Sequence, residues 1–154
     1  TCWKLFSNIV IGTDFSKAAD SAFGWAYKLA KTVNARLHVF NAVDITQTAP
    51  NGDQVQTAIE ARLEEARDKI EARHLSKIGD YDNYTVEVWE GTPYVEILKF
   101  ARDVQADLIV MAHHTRETDP ELALLGSTVE QVVLRSACPV ASVNRPDKAV
   151  ADSK

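Results

Sequence analysis

The residues best suited to chemistry in this sequence surround the stretch Gly126-Ser127-Thr128. Ser127 begins an amphipathic segment, so backbone N–H groups, two hydroxyls and the positive end of a helix are expected together there. This combination suits a phosphate group. Ser127 and Glu130 also match a Ser-x-x-Glu capping box, which would satisfy the same donors without any ligand. Both interpretations stay open at this point.

Further polar positions follow short apolar runs. Asp14 comes after the run Asn8–Thr13, where its carboxylate could accept hydrogen bonds from a base or ribose, or could cap the next helix. His113 and His114 are adjacent at the end of another run, so their side chains point to opposite faces and cannot chelate one metal together. We therefore predict no metal site, and we predict that Cys138 is a packed small residue rather than a nucleophile.

Standard catalytic signatures are absent from the sequence. It contains no Gly-x-x-x-x-Gly-Lys-Ser/Thr, no Gly-x-Gly-x-x-Gly, no Gly-x-Ser-x-Gly and no His-Glu-x-x-His. An ordinary hydrolase or dehydrogenase mechanism is therefore not indicated, and no catalytic residue is assigned.

Length and composition exclude several classes of protein. The 154 residues, 45% hydrophobic and 25% charged, predict one globular domain, which we place at 1–146 with a frayed tail at 147–154. The net charge of -5 and the scattered Lys and Arg residues disfavour nucleic acid as a partner. No apolar run approaches the roughly 20 residues that span a bilayer, so we predict a cytoplasmic protein without membrane association.

Strand and helix patterns alternate along the chain. Short apolar or β-branched runs predict strands at Asn8–Thr13, Ala35–Val43, Tyr84–Glu90, Leu108–His113 and Val140–Val143. Apolar spacings of three and four residues predict helices over Ser16 to Val33, Gln54 to Lys77, Thr92 to about Gln105 and Ser127 to Ser136. This order predicts a Rossmann-like α/β fold, a five-stranded parallel sheet with helices on both faces. The alternating strand Tyr84–Glu90 is expected at a sheet edge.

Taken in order, these stretches resemble the universal stress protein family. The resemblance rests on five segments: Ile-Val-Ile-Gly-Thr-Asp14-Phe-Ser16, Leu37-His38-Val39, Gly91-Thr92-Pro93, Ala106-Asp107-Leu-Ile-Val-Met111, and Leu124-Leu-Gly126-Ser127 through Ala137-Cys-Pro139-Val. Each is weakly specific, but all five in this order are strongly so. The resemblance implies an adenine nucleotide alpha hydrolase-like fold and commonly a homodimer that pairs through its last strands. The mostly apolar edge Val140–Val143 agrees with such pairing.

Some members of this family bind ATP through a Gly-x-x-Gly-x9-Gly-Ser/Thr loop, and others do not. Here Gly126-Ser127 matches the second half, but Ala112 and Thr115 replace the first two glycines and ten residues separate Thr115 from Gly126. Glycine permits a positive φ and close approach of backbone to phosphate, for which a β-branched Thr is poorly suited. By resemblance, the adenosine-side contacts are Asp14 and Val39, and the phosphate-side contacts are Gly126, Ser127 and Thr128.

Three functions follow as hypotheses. The first is a dimeric stress-response protein whose degenerate site binds ATP or AMP weakly, with Mg²⁺ accompanying ATP, for signalling. The second is a nucleotide-free dimeric scaffold that acts through unknown protein partners. The third is a slow ATP hydrolase in which His113, His114 or Glu117 assists the attacking water. The altered loop disfavours the third, because it would hold the phosphates poorly.

Overall fold

The computed structural model describes residues 6–44, 54–112 and 128–143. Its helices and strands alternate as β1 (Asn8–Gly12), α1 (Lys17–Val33), β2 (Arg36–Val43), α2 (Gln54–Arg73), β3 (Tyr84–Glu90), α3 (Pro93–Asp103), β4 (Leu108–Ala112), α4 (Thr128–Arg135) and β5 (Val140–Val143). The five strands form one parallel sheet in the order β3-β2-β1-β4-β5. The predicted fold class is confirmed, as is the edge position of Tyr84–Glu90.

The strand order places a topological switch point at the middle of the sheet. β1 pairs with β2 on one side and with β4 on the other. The chain therefore builds outward from β1 through β2 to β3, then returns to the centre and builds outward through β4 to β5. At such a point the connections leave neighbouring strands toward opposite faces, and a crevice opens outside the carboxyl ends of those strands.

The sheet separates two hydrophobic cores, because successive side chains of a buried strand point to opposite faces. The first core lies beneath α1 and α2, and the second lies beneath α3 and α4. Buried members of the first core include Ile9, Ile11, Phe23, Leu37, Val39, Ile70 and Val110. Buried members of the second core include Val10, Phe40, Ile97, Phe100, Ile109, Met111 and Val132. No helix within the described ranges is long and apolar enough to cross a bilayer.

Ser16 occupies the N-cap of α1, as its position before the periodic segment predicts. Its Oγ accepts a hydrogen bond from the Ala19 N–H at 3.0 Å. Thr92 holds the corresponding position before α3, but its side chain makes no capping hydrogen bond. Pro93 follows at the start of that helix, where a missing N–H costs nothing.

The prediction that the second helix runs to Lys77 is wrong. Helix α2 ends at Arg73, and a short 3-10 turn covers Leu75–Lys77. The helical ladder reaches His74, whose N–H donates to the Ile70 carbonyl at 2.8 Å, and then tightens as the Lys77 N–H donates to the His74 carbonyl at 3.1 Å. Sequence periodicity does not register this change, because apolar side chains continue to face the core across it.

Candidate functional site

A cavity of about 330 Å³ opens at the carboxyl edge of the sheet, in the crevice at the switch point. Its size lies at the lower end of the roughly 300–1,000 Å³ typical of small-molecule sites. The ends of β1, β2 and β4 and the first turns of α3 and α4 supply its lining: Gly12, Thr13, Asp14, Phe40, Asn41, Ala42, Pro93, Ile97, Met111, Ala112, Thr128 and Val129. The topology alone therefore explains why these distant segments meet.

Apolar side chains of the second core form most of the cavity wall. Phe40, Ile97 and Met111 are all buried in that core and all line the cavity. Gly12 leaves the floor open, since a Cβ at this position would lie 2.7 Å from Ile97 Cδ1 and 3.6 Å from Met111 Cγ. Such a wall can bury the faces of a flat ring without leaving polar protein groups unpaired.

Asp14 supplies a carboxylate on one side of the cavity. The side chain is exposed, and its Oδ1 accepts hydrogen bonds from the Ser16 N–H at 3.1 Å and the Ser16 hydroxyl at 2.6 Å. Ser16 itself holds the N-cap position of α1, so Asp14 supports the cap without occupying it. A carboxylate accepts hydrogen bonds from hydroxyl groups, including those of a sugar.

Asn41 joins the two strand ends beneath the cavity. Its Nδ2 donates to the Thr13 carbonyl at 2.7 Å, while the Thr13 N–H donates to the Phe40 carbonyl at 3.0 Å. Asn41 is buried, so this amide is a fixed polar group at the cavity edge. The two hydrogen bonds hold the carboxyl ends of β1 and β2 in register as they leave the sheet.

The N-terminus of α4 also lines the cavity. Thr128 and Val129 form its first turn and line the cavity. The first N–H groups of a helix have no intrahelical acceptor and carry partial positive charge, which favours an anion. Gly126 and Ser127 lie outside the described residues, so Thr128 represents the predicted phosphate side in the structure.

The predicted site residues separate in the structure. Asp14 and Thr128 meet at the same cavity, whereas Val39 does not line it. The Val39 side chain is fully buried in the first core, because strand alternation turns Val39 and Phe40 to opposite faces. On β2 the lining residues are Phe40, Asn41 and Ala42, which follow Val39 toward the carboxyl end.

Several lining residues were not predicted from the sequence. Asn41 carried a usable signal, since it is an amide within the otherwise apolar run Val39–Val43 and lies near the strand's carboxyl end. Phe40, Ile97 and Met111 carried no such signal, because the same apolar residue types occur in protein cores and in cavity walls. Only the tertiary arrangement distinguishes them.

The remaining candidates do not add a catalytic centre in the described part of the chain. His113, His114 and Glu117, which the hydrolase hypothesis requires, lie outside the described residues. Residues 6–44, 54–112 and 128–143 contain no group of three His, Cys, Asp or Glu side chains placed to hold a metal. Cys138 is half-buried against the second core, and its N–H donates to Ser136 Oγ at 3.1 Å, as expected of a packed residue.

Sequence and fold are both similar to those of known proteins. The model of the universal stress protein family matches residues 5–144. The chain is 32% identical over 149 residues to universal stress protein MJ0531 of Methanocaldococcus jannaschii, covering 94% of this chain and 86% of that relative.

Solved structures show the same similarity. The universal stress protein UspA from Lactobacillus plantarum aligns with a TM-score of 0.70 at 25% identity, over 90% of this chain and 97% of that one. A universal stress protein crystallised in complex with cAMP aligns with a TM-score of 0.63 at 27% identity, over 90% of this chain and 97% of that one.

Proposed function

The chain belongs to the universal stress protein family, and from this premise we propose that its switch-point cavity binds an adenine nucleotide, AMP or ATP. In this proposal the protein acts in the cytoplasm as a nucleotide-dependent module of a stress response. No covalent chemistry is assigned to it.

The observation that carries the proposal is the combination of three kinds of chemical group around one cavity. The apolar wall of Phe40, Ile97 and Met111 suits the faces of an adenine ring. The carboxylate of Asp14 suits ribose hydroxyls, and the N-terminus of α4 at Thr128 suits a phosphate. A nucleotide joins a base, a sugar and a phosphate in one molecule, so a single ligand can use all three kinds of group.

A solved relative supports the same ligand class. The universal stress protein crystallised with cAMP is 27% identical to this chain, and cAMP shares adenine, ribose and a 5′-linked phosphate with AMP, although its phosphate is a cyclic diester. The sequence change at Ala112 and Thr115 weakens the part of the loop that would wrap a triphosphate. We therefore expect AMP to bind at least as well as ATP with Mg²⁺.

A valine at Gly12 is expected to block nucleotide binding. The added side chain would project into the cavity floor against Ile97 Cδ1, and that contact is the end of a flexible side chain that can shift, so the protein should still fold. We expect the affinity for AMP, measured by calorimetry on nucleotide-stripped protein, to fall by roughly thirtyfold or more, about 2 kcal/mol.

Gly24 provides the matched control for this substitution. It lies in α1, and a Cβ there would meet nothing within 4 Å. Gly24→Ala should bind AMP with the wild-type affinity. Equal AMP affinity in wild type and Gly12→Val would show that the ligand does not occupy this cavity.

We further propose that two copies pair through β5. This strand forms one edge of the sheet, and the neighbouring helix α4 leaves Val133 52% and Leu134 77% exposed. An unpaired edge beside exposed apolar side chains is a surface that natural proteins usually cover. A second copy can cover it symmetrically, because a two-fold axis brings identical edges together.

The double variant Ser142→Lys with Leu134→Lys is expected to separate the proposed dimer. Ser142 is the exposed residue of β5, so neither change enters a core, and a two-fold interface would bring the new charges close to their own counterparts. Sedimentation should change from dimer to monomer at micromolar concentration. A single exposed change on α2, Glu64→Lys, is the control. A double variant that sediments as the wild-type dimer would contradict pairing through β5.

A further inference from the structure

A buried histidine on the far side of the sheet contacts the segment that carries Asp14. His74 is 0% exposed and follows the last residue of α2. Its ring stacks on Phe23 with centroids 4.6 Å apart and faces Phe15 at 6.3 Å. Its Nε2 lies 2.8 Å from Thr13 Oγ1. Thr13 and Phe15, both in the segment Thr13–Ser16, therefore contact the same imidazole.

The surrounding hydrogen bonds favour one tautomer of this imidazole. Thr13 Oγ1 accepts the Phe15 N–H at 3.2 Å, so its own hydroxyl is available to donate to His74 Nε2. The ring proton then sits on Nδ1, which has no hydrogen-bond partner among the described residues and lies 3.8 Å from Asp20 Oδ1. Arg73 engages the same carboxylate through Nε at 2.7 Å and Nη2 at 2.9 Å.

Burial keeps this ring neutral. It lowers the pKa of His74 to about 4, although the Asp20 carboxylate acts in the opposite direction and Lys77 and Arg73 add to the lowering. A neutral ring retains a lone pair on Nε2, which is the acceptor that the Thr13 hydroxyl needs. The hydrogen bond to the segment thus persists at neutral pH.

The segment needs external support because its backbone is strained. Phe15 has a φ of 64°, in the left-handed region that residues other than glycine rarely adopt. The Phe15 N–H is fixed by Thr13, the Phe15 ring lies over His74, and the Asp14 carboxylate between them is held by Ser16. Removing the support from His74 would free the chain to relax out of this conformation.

We propose that His74 is a positioning residue for the nucleotide site, holding Asp14 at the cavity from the opposite face of the sheet. This inference rests on the proposed function, since it assigns how one side of that site is kept in place. His74 touches no ligand. It acts through Thr13 and Phe15, and its removal should lower ligand affinity without closing the cavity.

The test compares His74→Phe with His74→Gln. Phenylalanine keeps a flat ring against Phe23 but loses the hydrogen bond to Thr13, whereas the amide of glutamine can restore that hydrogen bond. We expect the AMP affinity to fall by roughly tenfold in His74→Phe and to recover in His74→Gln. Binding is measured well below the unfolding temperature of each variant.

A core change on the same helix separates positioning from loss of stability. Ile70 is fully buried in the first core one turn before His74. Ile70→Ala should destabilise the protein at least as much as His74→Phe while leaving AMP affinity within about twofold of wild type. If Ile70→Ala loses as much affinity as His74→Phe, or if His74→Phe binds AMP like wild type, the positioning role is overturned.

A ligand-free readout keeps this inference distinct from the proposed function. The Phe15 amide should exchange with solvent faster in His74→Phe than in wild type, relative to amides of β1, and the slower rate should return in His74→Gln. Unchanged Phe15 exchange in His74→Phe would overturn the inference even if AMP binds. Faster Phe15 exchange, together with no AMP binding to wild type, would overturn the nucleotide proposal and leave only the support of the segment by His74 standing.

Discussion

The free energy of unfolding is expected to fall by about 6 kcal/mol as the pH is lowered from 7 to 4. Two histidines carry this expectation. Burial lowers the pKa of both His38 and His74 to about 4, with the charge of Arg36 adding to the effect at His38. Each contributes roughly 3 kcal/mol to this fall in stability, because the ordinary pKa of a histidine in an unfolded chain is near 6.5.

The direction follows from proton binding. Between pH 6.5 and 4 the unfolded chain binds a proton at each of these residues and the folded chain does not, so acid favours unfolding. Above pH 6.5 both states are neutral and the effect is absent. Asp20, whose pKa the hydrogen bond from Arg73 lowers from 3.8, titrates below this range and does not offset the loss.

Urea unfolding at a series of pH values measures this effect. Between pH 6 and 4.5, the slope of the unfolding free energy against pH should correspond to the uptake of nearly two protons on unfolding in wild type. In His74→Gln it should correspond to nearly one. His38→Gln should reduce the slope by the same amount. Both ring nitrogens of His38 have side-chain partners, Thr85 Oγ1 at 2.7 Å and Asn8 Oδ1 at 3.0 Å. A flat profile in wild type would mean that neither histidine is held neutral by burial.

Replacing Phe100 with alanine is expected to cost about 3–5 kcal/mol of stability. The ring is 4% exposed and stacks on Phe40 with centroids 5.0 Å apart, while Trp89 and His38 meet it edge-on at 5.4 and 5.7 Å. Truncation removes contacts with all three rings and leaves a void between α3 and the sheet. The midpoint of denaturant unfolding should shift accordingly, with an unchanged slope.

Phe100→Leu is the matched variant, because it retains much of the apolar volume. Its loss of stability should be clearly smaller than that of Phe100→Ala. A loss below about 1 kcal/mol for Phe100→Ala would contradict the packing described for the second core. The same void would also loosen Phe40, which forms the cavity wall, so AMP affinity is expected to weaken modestly in Phe100→Ala.

The fold was largely predictable because its signals are local. Buried parallel strands appear as short continuous apolar runs, and Ser16 and Pro93 mark where the following helices begin. The tight end of α2 was not predictable, since His74, the residue at the transition, has its side-chain partner at Thr13, 61 positions away in sequence. No local pattern records such a partner.

The candidate site was predictable only in part. Asp14 and Thr128 stand at a strand end and a helix start, positions that the topology brings together at the cavity. The cavity wall was not predictable, because Phe40 and Ile97 look like ordinary core residues in the sequence. The sequence also could not show that Phe40 rather than Val39 lines the cavity, since a shift of one position along a strand changes the face to which a side chain points.

The most direct test of the nucleotide proposal follows amide chemical shifts of the wild-type protein during titration with AMP. Binding in the switch-point cavity predicts saturable changes concentrated at residues that line it, among them Gly12, Asp14, Asn41, Ala112 and Thr128. Changes elsewhere, or none at millimolar AMP, would contradict it.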